Sequence, residues 1–192
     1  MNFRSYLAMV LVVLYGLLIS CAAVLAQEQP KTDLSSPGEE HRKLDILAGA
    51  WDVIVKFPVA PGKTMEGQSA CEAKWVMDGR FLRQEYSSTF AGKPLTVVRY
   101  LGFDRYKGKF VELHLESTHT DVMHNEGTIS DDGKTITCWG TGIDLAAGKE
   151  AKVRTVTTIL DKDTFTLEMN YADFEGKEAK TVTLTHKRKQ AQ

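Results

Sequence analysis

Arginines set among strand-like residues, two histidines flanked by carboxylates, and dispersed aromatic residues are the groups in this chain whose types and spacing could do chemistry. Arg80, Arg83, Arg99 and Arg154 all stand in stretches rich in apolar and β-branched residues. Turned into an apolar interior, a guanidinium is a natural partner for a carboxylate or another anionic head group, which it binds through two parallel hydrogen bonds. Turned outward, it makes ordinary surface ion pairs with the many Asp and Glu side chains. Arg99, between Val98 and Tyr100, and Arg154, which alternates with Val153 and Val156, are the two expected to face inward. Trp51, Tyr100, Trp139 and Tyr171 are the expected walls for an apolar ligand; plain core packing is the alternative for each.

The segment 110–129 carries a second constellation. Glu112, His114 and Glu116 share one parity, as do His124 and Glu126 further on. With a turn centred on His119, His114 and His124 would face each other across two strands. Two imidazoles with flanking carboxylates could hold a divalent metal, and one imidazole could serve as an axial haem ligand. The simpler reading takes Val111, Leu113 and Leu115 as the buried face and puts the His/Glu face in solvent. No catalytic signature is present: there is no G-x-S-x-G, no G-x-x-x-x-G-K, no H-E-x-x-H and no G-x-G-x-x-G. Binding therefore ranks above catalysis, and no catalytic residue is assigned.

These groups need elements to position them. His41 to Phe57, HRKLDILAGAWDVIVKF, is the stretch that organises the rest. Ser36-Pro37-Gly38-Glu39 has capping-box spacing, and Leu44, Leu47 and Ala48 then share one helical face, so a short helix is expected over His41–Ala48. Gly49 supplies its stop, and from Trp51 the period changes to two, with Trp51, Val53, Val55 and Phe57 on one side. Turn signals recur from there at Pro61-Gly62, Asp78-Gly79, Gly92, Lys107-Gly108, Asp132-Gly133, Ala147-Gly148, Asp161-Lys162-Asp163 and Glu175-Gly176. About ten short strands lie between them, with hairpin-sized connections and no second long helix. Closing such a meander removes its two edges, which predicts an all-β, antiparallel up-and-down barrel plugged by the helix. A two-sheet sandwich is the alternative.

The chain has 192 residues, with 24 basic and 25 acidic side chains. Arg4, the apolar run Leu7 to Ile19 and the small residues after it read as a secretory signal over residues 1–26. Leu18-Ile19-Ser20-Cys21 also resembles a lipobox that would acylate Cys21, and an uncleaved anchor is the third option. Cleavage after Ala26 leaves 23 basic against 25 acidic residues, a net charge of −2, which argues against nucleic acid as a partner. Export to the periplasm or medium is expected, followed by a linker over residues 27–36 and one domain over 37–189. The closing His186-Lys187-Arg188-Lys189 reads as a solvated strand end. Cys71 and Cys138 are either a disulfide, permitted by export, or two small core residues.

The motifs His41-x-x-Leu44-x-x-Leu47-x-Gly49-x-Trp51, Gly79-Arg80-Phe81-Leu82, Leu101-Gly102-Phe103-Asp104, Gly133-Lys134-Thr135, Lys152-Val153-Arg154 and Asp163-Thr164-Phe165 resemble an uncharacterised bacterial family, domain of unknown function 1579. The resemblance implies a calycin-type barrel akin to lipocalins, fatty-acid-binding proteins and haem-binding nitrobindins, and it imports no activity. The expected role is passive: a barrel cavity that holds a small hydrophobic or amphipathic molecule. A haem- or metal-binding barrel without catalysis and an envelope interaction module with a filled interior are the alternatives.

Overall fold

Alternation of inward and outward side chains runs through ten β-branched and aromatic segments, and each is too amphipathic to stand alone. The computed structural model describes residues 33–60, 63–144, 148–172 and 178–190. The expected signal and residues 27–32 of the linker lie outside those residues, as do the turns at Pro61-Gly62, Ala147 and Glu175-Gly176. The strands are β1 (Gly49–Ala60), β2 (Lys63–Val76), β3 (Phe81–Phe90), β4 (Lys93–Asp104) and β5 (Lys109–Glu116). They continue as β6 (Met123–Ile129), β7 (Thr135–Asp144), β8 (Lys149–Asp161), β9 (Thr164–Ala172) and β10 (Glu178–Arg188). Each pairs antiparallel with the next, and β10 returns to β1 from Trp51↔Arg188 to Lys56↔Thr183, so the barrel is closed. The sandwich is excluded.

One end of the barrel is stoppered. Helix α1 spans only Glu39–Arg42, and a 3₁₀ turn follows over Asp45–Leu47. This differs from the continuous helix expected over His41–Ala48, and the cap is Gly38, whose N–H donates to His41 Nδ1 at 3.1 Å, rather than Ser36. The tighter turn has a physical reason. At three residues per turn, Leu44 and Leu47 stack on the same side, and both are fully buried in the barrel mouth. Trp51 Nε1 donates to the Leu47 carbonyl at 3.1 Å, and Trp75 Nε1 donates to Asp45 Oδ1 at 2.8 Å, fixing the stopper from below and from the side.

The C-terminal strand completes that seal. Arg188 donates to the carbonyls of Ala48 at 2.8 Å and Ile46 at 2.7 Å, and its guanidinium stacks 4.1 Å over the Trp51 ring. Gly49 must be glycine here: its φ is +123°, and a Cβ would meet Arg188 Nη1 at 2.6 Å. The expectation of a merely solvated strand end over 186–189 is therefore corrected: His186 is fully buried and Arg188 is a clamp on the stopper.

Two apolar clusters occupy the interior. The larger joins Leu44, Leu47 and Trp51 to Leu82, Leu101 and Phe165 at the stoppered end. The smaller joins Met123, Val153, Leu167 and Met169, with Tyr171 and Leu184 packed against it, toward the other end. Between them lies a belt of polar side chains.

Candidate functional site

The belt follows from parity. On β4 the inward residues are Val97, Arg99 and Leu101; on β5 they are Phe110, Glu112 and His114; on β3 they are Leu82, Gln84 and Tyr86. Arg99 is flanked on its strand by inward Val97 and Leu101, Gln84 by Leu82 and Tyr86, and Glu112 by Phe110 and His114, which sets the belt at mid-height.

Arg99 and Glu112 are its centre, and both are essentially inaccessible to solvent. Arg99 Nη2 donates to Glu112 Oε2 at 3.1 Å, and Arg99 Nε lies 3.1 Å from Glu112 Oε1 without the alignment of a hydrogen bond. Arg99 also donates to Gln84 Oε1 at 2.8 Å and to Thr157 Oγ1 at 3.0 Å, while Thr155 Oγ1 donates to Glu112 Oε2 at 2.8 Å. Thr155 and Thr157 stand on β8, three and four strands from Glu112 and Arg99, so these bonds cross the lumen rather than run along the wall. A second crossing joins the Tyr86 hydroxyl on β3 to His186 Nε2 on β10 at 3.1 Å, with His186 stacked on Phe165 at 3.8 Å.

Electrostatics hold this belt in one charge state. Burial opposes ionisation of Glu112, but the Arg99 charge and the hydrogen bonds from Arg99 and Thr155 outweigh it and keep the carboxyl below its usual range. Burial likewise works against the Arg99 cation, and Glu112 more than restores it. Burial drives His186 down to about 3, helped by the nearby Arg99 charge, and pushes both Cys71 and Cys138 up to about 12. Tyr86 is raised well above its ordinary value by burial, and His114 is lowered by burial. At neutral pH the belt thus holds one cation and one anion, with its other titratable groups neutral. None of them is poised to exchange a proton.

Several polar atoms in the belt have no partner within the protein. They are Gln84 Nε2, both amide atoms of Asn125, His186 Nδ1 and the poorly aligned Glu112 Oε1. Asn125 is the direct β6 neighbour of Glu112 and lies over Gly140 of β7, where a Cβ would land on its Oδ1 and on the His124 carbonyl. Away from the stopper, the inward residues Val55, Val97, Val182 and Leu184 are only partly buried, beside the buried Met123, Val153, Leu167 and Met169; at the stoppered end Leu82, Leu101 and Phe165 are buried while Phe103, Ile129 and Ile159 are partly buried.

The sequence-predicted residues divide accordingly. Arg99 points inward, but its charge is already matched by Glu112 and is not free for a carboxylate. Tyr171 packs against the smaller apolar cluster, away from the stopper. Trp51 is sealed under the stopper as part of the larger apolar cluster. Arg154, Tyr100 and Trp139 are corrected: all three lie on the outer wall, with Trp139 53% exposed and paired to Arg154. Adjacent residues cannot share a face, so inward Arg99, Cys138, Val153 and Thr155 force their neighbours out.

The 110–129 hairpin is corrected in the same way. Glu112 and His114 face in, while Leu113 and Leu115 are outside. His114 pairs with Met123, and Leu113 pairs with His124, one residue from the expected register, so the two histidines occupy opposite faces. Among the described residues, no group of three or more His, Cys, Asp or Glu could hold a metal ion. Cys71 and Cys138 are both buried free thiols. Gln84, Tyr86, Asn125, Thr155, Thr157 and His186 were not singled out as site residues from the sequence, and Glu112 was named only as a carboxylate flanking a metal site; yet Gln84 alternates with Leu82 and Tyr86, and His186 with Val182 and Leu184, which was the available signal.

A closed, stoppered ten-stranded antiparallel barrel with a charge-paired polar belt is the class that fold and interior define. The chain belongs to the family described as "Protein of unknown function (DUF1579)", whose model matches residues 36–188. Among solved structures it is similar to Rv2717c from M. tuberculosis, at 17% identity and a TM-score of 0.59, covering 81% of this chain and 100% of that one. It is also similar to the S-type phycobiliprotein lyase CPES from Guillardia theta, at 14% identity and a TM-score of 0.55, covering 86% and 100%. Identities this low carry the fold alone. No curated protein matches the chain.

Proposed function

We propose that this protein is exported and binds a small apolar or amphipathic molecule in the half of its barrel away from the stopper. The observation that carries the reading is the lining of the lumen away from the stopper. There Val55, Val97, Val182 and Leu184 stay partly accessible beside the buried Met123, Val153, Leu167 and Met169, above a belt that holds unpartnered polar atoms. Met123 and Met169 form one wall of that half, and thioether side chains adapt to apolar ligands of irregular shape. The charge state of the belt favours binding over catalysis, since its thiols, phenol and imidazole are all held in unreactive forms. That one protein of this fold is named a phycobiliprotein lyase is compatible with a lumen that handles small molecules.

Two measurements test the reading. Mass spectrometry of the denatured native protein is expected to release a co-purifying small molecule. The neutral fluorophore N-phenyl-1-naphthylamine is expected to bind saturably to the delipidated protein, and Val97→Trp, which fills the accessible half, is expected to abolish that binding. Absence of both a co-purifying molecule and saturable fluorescence would overturn it. Export is tested by N-terminal sequencing of the mature protein, expected to begin near Gln27.

A further inference from the structure

We infer that the lumen selects a ligand with an uncharged head group that both donates and accepts hydrogen bonds, such as a carboxamide, and rejects the corresponding carboxylate. This inference rests on the ligand-binding reading above and specifies its chemistry.

A buried arginine ordinarily marks a carboxylate site, because a guanidinium without a counter-ion is costly in an apolar interior. Here the counter-ion belongs to the chain. Glu112 lies against two nitrogens of Arg99, and Gln84 and Thr157 take further donors. An incoming carboxylate would therefore be the second anion beside one cation, with the Glu112 carboxylate already in place. The histidines cannot supply the missing charge, because burial keeps His186 and His114 neutral at pH 7 and above. Among the described residues, no Lys or Arg other than Arg99 is buried.

What the belt does offer is neutral and two-sided. Gln84 Nε2 is a buried donor whose own carbonyl is committed to Arg99, and the Asn125 amide presents one donor and one acceptor, while Glu112 Oε1 is held in its ion pair 3.1 Å from Arg99 Nε. An unpaired polar group in such a place costs stability until something complements it, and a head group carrying both N–H and C=O complements the Gln84 donor and the Asn125 amide. A head with one function alone leaves part of the belt unpaired. A charged head adds the cost of desolvating an ion with no partner.

The test is displacement of N-phenyl-1-naphthylamine from the full-length mature protein by dodecanamide and by dodecanoate. At pH 8 the amide is expected to displace the probe at concentrations at least about tenfold lower than the carboxylate. Dodecanoate entering as the neutral acid must take up a proton, so its apparent affinity is expected to fall about tenfold per pH unit between pH 7 and pH 9, while the amide shows no slope. Glu112→Gln removes the resident anion and is expected to reverse the preference and abolish the slope; the wild-type pH series decides the matter even where that variant does not fold. Equal or tighter binding of dodecanoate with no pH dependence would overturn the inference and leave the ligand reading intact. Failure of both compounds and of the probe itself to bind would overturn the ligand reading beneath it.

Discussion

His186 provides the sharpest quantitative check on the interior. Its ring is buried between Phe165 and Tyr86, and burial lowers its pKa from 6.5 to about 3. In the unfolded chain the same ring titrates near its ordinary value. Below that value the unfolded state binds a proton that the native state refuses, so the contribution to stability is complete above pH 6.5 and is lost progressively as pH falls toward 3. Integrated between pH 7 and pH 5, a single such histidine costs about 2 kcal/mol. His186→Gln retains an acceptor for the Tyr86 hydroxyl but cannot titrate. Urea unfolding of wild type and variant at pH 7, 6 and 5 isolates the effect, because other titrating groups cancel in the difference. The stability advantage of the wild type is expected to shrink by about 2 kcal/mol from pH 7 to pH 5. A difference that stays constant with pH would refute the buried, neutral assignment.

Three further outcomes follow from the same geometry. Glu112→Gln leaves Arg99 charged and uncompensated, at an expected cost of about 3–5 kcal/mol in chemical denaturation, and the double variant Arg99→Met/Glu112→Leu should recover most of that loss. Gly140→Ala forces a methyl group onto the Asn125 amide and the His124 carbonyl, and should lower stability by about 1–3 kcal/mol or prevent soluble expression. Cys71 and Cys138, buried and pushed up to about 12, should resist iodoacetamide at pH 8 in the native protein and both react once urea is added.

The strand period, the recurring turn signals and the single Leu-rich stopper were enough to specify a closed antiparallel barrel, because these are local features of backbone and side-chain chemistry. Inward placement of Arg99 was also legible, from its position in an apolar strand. The face of β5 was not. Val111, Leu113 and Leu115 look like a buried stripe, and nothing within that strand shows that Arg99, thirteen residues earlier, supplies the charge that lets Glu112 turn inward. Outside, Leu113 and Leu115 lie beside Tyr100 and Val98 of β4, which shields their apolar surface in part. Once Arg99 is inward, a carboxylate must follow it, and the neighbouring strand is the nearest place to find one.

By itself, then, the sequence determined the number, spacing and pairing sense of the strands and the element that closes one end. Only the tertiary structure decided which parity of each strand meets the lumen, since side-chain direction inverts with a one-residue change of register. It also decided that the central arginine is neutralised from within, because bonds from β4 and β5 to β8 exist only when the wall has curved back on itself.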